Sequence, residues 1–157
     1  MAAGKKGKGS TQLASNRKAR HEFILFDRFV AGIVLTGTEV KSVRQGGLSL
    51  KEAYGKVAGG EVFLVNANIS PYSHGNRENP DPRRTRKLLL HAREIRKLSR
   101  TAENTGMTIV PLAAFLENGF VKVEIAVARG KKLHDKRDSK RRQEMQREID
   151  RESGRRD

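Results

Sequence analysis

The candidates for metal or acid–base chemistry in this chain are four histidines, at positions 21, 74, 91 and 134, and the core carboxylates Glu22, Asp27, Glu39, Glu52, Glu61, Glu117 and Glu124. The histidines lack the spacing of metal ligands, and nothing selects two of the carboxylates as an acid–base pair. Cysteine is absent, which removes thiol nucleophiles, disulfides and zinc-ribbon sites. No G-x-S-x-G elbow occurs, and the glycines at 4, 7 and 9 lack the spacing of a phosphate loop. These residues predict no catalytic site, no metal and no cofactor. The chain is stocked instead for ionic contact, with 33 Lys and Arg against 18 Asp and Glu, a net charge of +15.

That charge sits in three blocks. Residues 1–20 carry 6 bases and no acid, residues 77–101 carry 9 bases against 3 acids, and residues 129–157 carry 12 against 7. The segments between them are nearly neutral and hold most of the apolar residues. A neutral core with cations on its flanks and on one connecting segment is suited to hold a polyanion, RNA or DNA first. The 36% hydrophobic content is diluted by the flanks, leaving enough chain for one small domain. No apolar run approaches the ~20 residues that span a bilayer, and the N-terminal lysines are followed by no apolar stretch. The expectation is a cytoplasmic protein without membrane contact.

The elements that must position these cations follow from local pattern. Residues 1–16 read as a flexible basic arm, with folded structure from residue 17 to 130 and the first strand at Phe23–Phe26. A second apolar run covers Ala31–Leu35. A short helix follows, with Thr38 as its cap and Gly46-Gly47 closing it. Strand signals run from Leu48 to Val57, and Gly59-Gly60 predicts a hairpin into Val62–Val65. The spacing predicts a helix from about Thr85 to Ala102, with Ala92, Ile95, Leu98 and Ala102 on one face and Arg93, Arg96, Lys97 and Arg100 on the other. Asn118-Gly119 predicts a hairpin turn. Val121, Val123, Ile125 and Val127 then alternate with Lys122, Glu124 and Ala126 as a half-buried strand with one polar face. The sum is mainly β with α, an OB-like small β-barrel with two or three appended helices. The tail, 131–157, reads as basic and disordered when free, and helical when docked.

Six collinear runs carry a resemblance. They are Asn16-Arg17-Lys18-Ala19-Arg20-His21-Glu22-Phe23; Ala31 to Ser42 through Gly37-Thr38-Glu39-Val40-Lys41; Asn68-Ile69-Ser70-Pro71-Tyr72; Asp81-Pro82 with Arg86-Lys87-Leu88-Leu89-Leu90-His91; Val110-Pro111-Leu112; and Gly130-Lys131-Lys132-Leu133-His134-Asp135-Lys136-Arg137. Together they resemble the SsrA-binding protein (small protein B) family over nearly the whole chain. The resemblance implies a non-enzymatic bacterial factor that binds the tRNA-like domain of transfer-messenger RNA (tmRNA). Such a factor carries tmRNA into the vacant A site of a stalled 70S ribosome, where the nascent chain is tagged and the ribosome released. It also implies an OB-type barrel, a monomer, and a tail unstructured in solution.

For the RNA grip, the resemblance points to Arg17, Lys18, Arg20, His21, Phe23, Glu39, Lys41, Leu89, His91, Lys122, Gly130, Lys131 and Lys132. The lysines and arginines can neutralise phosphates, and Phe23 and His91 offer rings for stacking on unpaired bases. An aromatic in a short strand is more often core, so Phe23 has a structural alternative, as Leu89 does. Glu39 cannot attract phosphate; it fits a hydrogen bond to a base or a helix cap. Lys122 stands opposite an apolar face by alternation. The arginines at 83, 84, 86, 93, 96 and 100 fit either RNA contact or a solvated face. In the tail, His134, Asp135, Lys136 and Arg137 match the family element that acts in the small-subunit decoding centre, and Met145 and Ile149 would seat a helix in the mRNA channel. One position departs from the pattern, Val30, where many relatives carry an acid. Two other classes stay open on residues alone: a structural RNA-binding protein of ribosomal type, and a nucleic-acid-processing enzyme using core carboxylates.

Overall fold

A computed structural model of the chain describes residues 10–73, 79–131 and 141–151. In chain order the elements are β1 (Thr11–Ser15), α1 (Arg17–Glu22), β2 (Phe23–Ile33), α2 (Gly37–Arg44), β3 (Leu48–Ser49), β4 (Tyr54–Ala58), β5 (Glu61–Val65), β6 (Asn68–Ile69), β7 (Arg86–Leu89), α3 (Ala92–Ala102), β8 (Met107–Glu117) and β9 (Phe120–Gly130). A further helix, α4, covers residues 141–151.

The main sheet runs β1-β8-β4-β5-β7-β2-β9, and β9 also pairs with β8, so six strands close on one another and β1 adds to the outer edge of β8. This is the expected OB-like barrel. Closure needs a glycine where β4 meets β8: Gly55 faces Ile109, and a Cβ at Gly55 would stand 2.5 Å from Ile109 Cγ2. The hairpins at Gly59-Gly60 and Asn118-Gly119 form where the sequence places them, each with both turn residues at positive φ.

The barrel interior holds Phe29, Ala31, Val62, Leu64, Leu88, Ile109, Val123, Ile125 and Val127, and α3 closes it with fully buried Leu98. Burying one such side chain stabilises by roughly 1.5–3 kcal/mol. A second, smaller cluster lies on the other face of β8 and β9, where Ala19 of α1 meets Val110, Leu112, Ala126 and Ala128.

Several local expectations change. Residues 11–15 are not part of an arm: they form β1, antiparallel to β8 with Thr11 opposite Leu116. The apolar run at 23–26 and the first three residues of the run at 31–35 belong to one bulged strand, β2, which is paired with β9 along most of its length. Thr36, not Thr38, caps α2, with Glu39 completing a capping box. The helix predicted from Thr85 begins only at Ala92, because residues 86–89 pair with β5 and β2 as β7. The outward face of β9 is not polar throughout: Glu124, Ala126 and Ala128 are buried, the two alanines in the cluster under α1. Residues 141–151 form the helix α4, with a Gln146–Asp150 hydrogen bond of 3.0 Å one turn apart. Residues 1–9 of the expected arm lie outside the described residues.

Candidate nucleic-acid interface

The expected RNA-facing residues gather at the two ends of β2. At its start, α1 is fixed by Asn16. The Asn16 side chain accepts from Ala19 N–H at 3.2 Å and donates to the Leu50 and Pro111 carbonyls at 3.3 and 3.0 Å. With Asn16 and Ala19 buried, Arg17, Lys18, Arg20 and His21 are left exposed. Phe23 opens β2 opposite Gly130, and Lys131 N–H donates to the Glu22 carbonyl at 2.9 Å. Phe23 is half-buried on the small cluster, and it also lines a cavity of about 300 Å³ with Lys18, Glu52 and Tyr54. Lys18 lies 2.6 Å from Glu52; that hydrogen bond raises the Lys18 pKa and lowers the Glu52 pKa.

At the far end, Gly32 stands between Leu89 of β7 and Lys122 of β9. Leu89 is 53% exposed, and Phe120, just past the Asn118-Gly119 turn, is 69% exposed. Together with Ile33, Leu35, Val40 and Lys122 they line a groove of about 270 Å³. Lys41, next to Val40, is exposed, with its Nζ 5.6 Å from the Tyr72 ring centroid. His91 is exposed at the N-cap of α3, its N–H donating to the Glu94 carboxylate at 3.1 Å. The register sets the two groups nine residues apart on β2, about 30 Å along an extended strand.

Glu39 does not belong with them. Its side chain is 3% exposed and every oxygen is engaged from within. It accepts from Thr36 N–H at 3.0 Å, from Arg84 Nη2, and from Arg86 Nε at 2.7 Å and Nη2 at 2.6 Å. Arg86 is fully buried, and it also donates to the carbonyls of Ala67, Pro82 and Arg84. Burial pushes the Glu39 pKa up, but the bonds from Arg84, Thr36 N–H and Arg86 outweigh it and hold the carboxyl below its ordinary value. This cluster ties α2 to the segment leading into β7. Arg84 and Arg86 are thus structural, whereas Arg93, Arg96 and Arg100 of α3 are exposed.

Lys132, His134, Asp135, Lys136 and Arg137 lie outside the described residues. Met145 and Ile149 are 62% and 53% exposed on α4. Sequence reasoning missed Tyr54 and Phe120. Phe120 carried a usable signal, an aromatic directly after an Asn-Gly turn. Tyr54, exposed at the start of β4, carried none. Among the described residues no cluster of three or more His, Asp or Glu could hold a metal, and no helix is long and apolar enough to cross a membrane.

The fold and this arrangement define a class: a basic OB-like barrel whose free cations and exposed rings suit a nucleic acid. Comparison with known proteins narrows it. The family model described as SmpB protein matches residues 13–155. The chain is 54% identical over 146 residues to the SsrA-binding protein of Geobacillus thermodenitrificans (strain NG80-2), covering 93% of this chain and 94% of the relative. It is 52% identical over 147 residues to that of Clostridium botulinum (strain Hall / ATCC 3502 / NCTC 13319 / Type A), covering 94% of each. A solved structure described as "tmRNA-SmpB: a journey to the center of the bacterial ribosome" superposes with a TM-score of 0.67 at 42% identity, covering 82% of this chain and 94% of that one. The chain belongs to the SmpB protein family.

Proposed function

We infer that this protein binds the tRNA-like domain of tmRNA and carries it into the A site of stalled ribosomes. The nascent chain is then tagged and the ribosome rescued. The observation that carries the reading is family membership across residues 13–155. The exposed cations and rings at both ends of β2 support it. The protein acts in the cytoplasm, where ribosomes are, as a binding factor and not as an enzyme. Phosphates are held by Arg17, Lys18, Arg20 and Lys131 at one end and by Lys41 and Lys122 at the other. His91, Leu89 and Phe120 meet unpaired bases, with Phe23 and Tyr54 serving the same role across the barrel. Lys132 continues the first group, and the tail residues His134, Asp135, Lys136, Arg137, Met145 and Ile149 serve the ribosome.

The test is a salt-titrated binding assay with the tRNA-like domain, using an ordinary tRNA as competitor. Binding to either RNA weakens with salt through counterion release. A preference for the tRNA-like domain that survives high salt supports the reading; equal affinities that collapse together would show a general polyanion binder. Truncation after Lys132 is expected to leave this affinity intact while abolishing tagging.

A further inference from the structure

The two RNA-facing groups at the ends of β2 are separated by a long stretch of strand, and α3 reaches that stretch through Lys97. Its N-cap, His91, follows Leu89, the neighbour of Gly32. Midway, Lys97 Nζ lies 3.2 Å from Asp27 Oδ2 and 6.0 Å from the Phe29 ring centroid. Beyond its C-terminus the chain enters β8 at Met107, opposite Arg129, next to the Phe23–Gly130 pair. The helix therefore lies in the interval between the two groups and covers about 16 Å of it at 1.5 Å per residue.

Its inward face is used up by the core. Its outward face carries Arg93, Arg96, Lys97 and Arg100, spaced three and four apart, so each repels its neighbours along the helix. A face serving only solvation would intersperse carboxylates. Here Glu94 is engaged on His91 N–H, and among the described residues only Lys97 of the four has an ion-pair partner. Arg93, Arg96 and Arg100 are exposed guanidiniums with open forks, the geometry that fits phosphate.

Resting on the tmRNA reading, we propose that the outer face of α3 is a phosphate-binding track, joining the two groups at the ends of β2 into one surface for the RNA backbone of the tRNA-like domain. Arg93, Arg96 and Arg100 each contact backbone phosphate and read no base.

The test compares the full-length protein with the triple variant Arg93→Gln/Arg96→Gln/Arg100→Gln in binding the tRNA-like domain over a salt series. Each lost phosphate contact reduces the slope of log affinity against log salt by about 0.7 to 0.9. The track predicts a slope shallower by about 2 to 3, and affinity lower by about tenfold or more near physiological salt. The corresponding triple Arg→Lys variant keeps the charge and is expected to keep the slope, which separates charge loss from any disturbance of the helix. An unchanged slope with affinity within twofold overturns the proposal. So does a loss seen only with empty-A-site ribosomes, which would assign the face to ribosomal RNA. Lys122→Gln, measured alongside, distinguishes the failures: if it too leaves binding unchanged, the reading at the ends of β2 fails as well.

Discussion

Arg86 and Arg96 stand ten residues apart in one basic segment, with opposite uses. Arg86 is fully buried, and its guanidinium is shared among Glu39 and three backbone carbonyls. Arg96 lies on the open face of α3 with no ion-pair partner among the described residues. The first kind of charge holds the fold together, since a buried ion stripped of its partner costs several kcal/mol. The second contributes little to stability and is available to a polyanion. Positive charge in a basic chain is therefore not one resource, and burial decides which arginines could ever touch RNA.

The sharpest way to break this contrast is at the buried side. Glu39→Gln leaves Arg86 buried without its counter-charge and is expected to destabilise the protein by about 3–5 kcal/mol, read by urea or thermal unfolding. A loss below about 1 kcal/mol would place Glu39 among the dispensable surface charges. The same carboxyl gives a pH signature. Its folded pKa lies below the ordinary 4.5, so its stabilisation is complete above pH 4.5 and is lost as pH falls through the folded value. The stability of the Glu39→Gln protein should consequently depend less on pH in that acid range, which paired unfolding curves would reveal.

On the open side the effects move to affinity. Phe120→Ala removes an exposed ring at a turn and is expected to weaken binding to the tRNA-like domain by about 1–3 kcal/mol, the worth of one stacked base, with the melting temperature unchanged. The smallest effect is expected at the exposed Lys18–Glu52 pair. Glu52→Gln should leave stability unaltered and, by freeing Lys18 for phosphate, leave affinity equal or slightly higher. A marked fall in either would show that this pair shapes α1.

What the sequence made legible was local. The Asn118-Gly119 and Gly59-Gly60 turns, the alternation that turns Lys122 away from the core, and the apolar face of α3 all depend on residues within a turn or two of one another. What it hid was decided at a distance. Strand β1 reads as arm because its partner lies about a hundred residues away in β8. Strand β7 reads as the start of a helix because Arg86 looks like surface until Glu39, 47 residues earlier, is folded beside it. Glu39 reads as RNA-facing for the same reason, since Arg84 and Arg86, which enclose it, lie 45 and 47 residues further on.

The division between charges that hold and charges that bind is tested most directly at Lys122, which is half-buried beside Leu89 and Phe120 and in no ion pair among the described residues. The measurement is the affinity of the Lys122→Gln protein for the tRNA-like domain, with its melting temperature taken on the same sample. The expected result is an affinity lower by about tenfold and a shallower salt dependence at an unchanged melting temperature. Unchanged affinity, or a loss that tracks a fallen melting temperature, would contradict it.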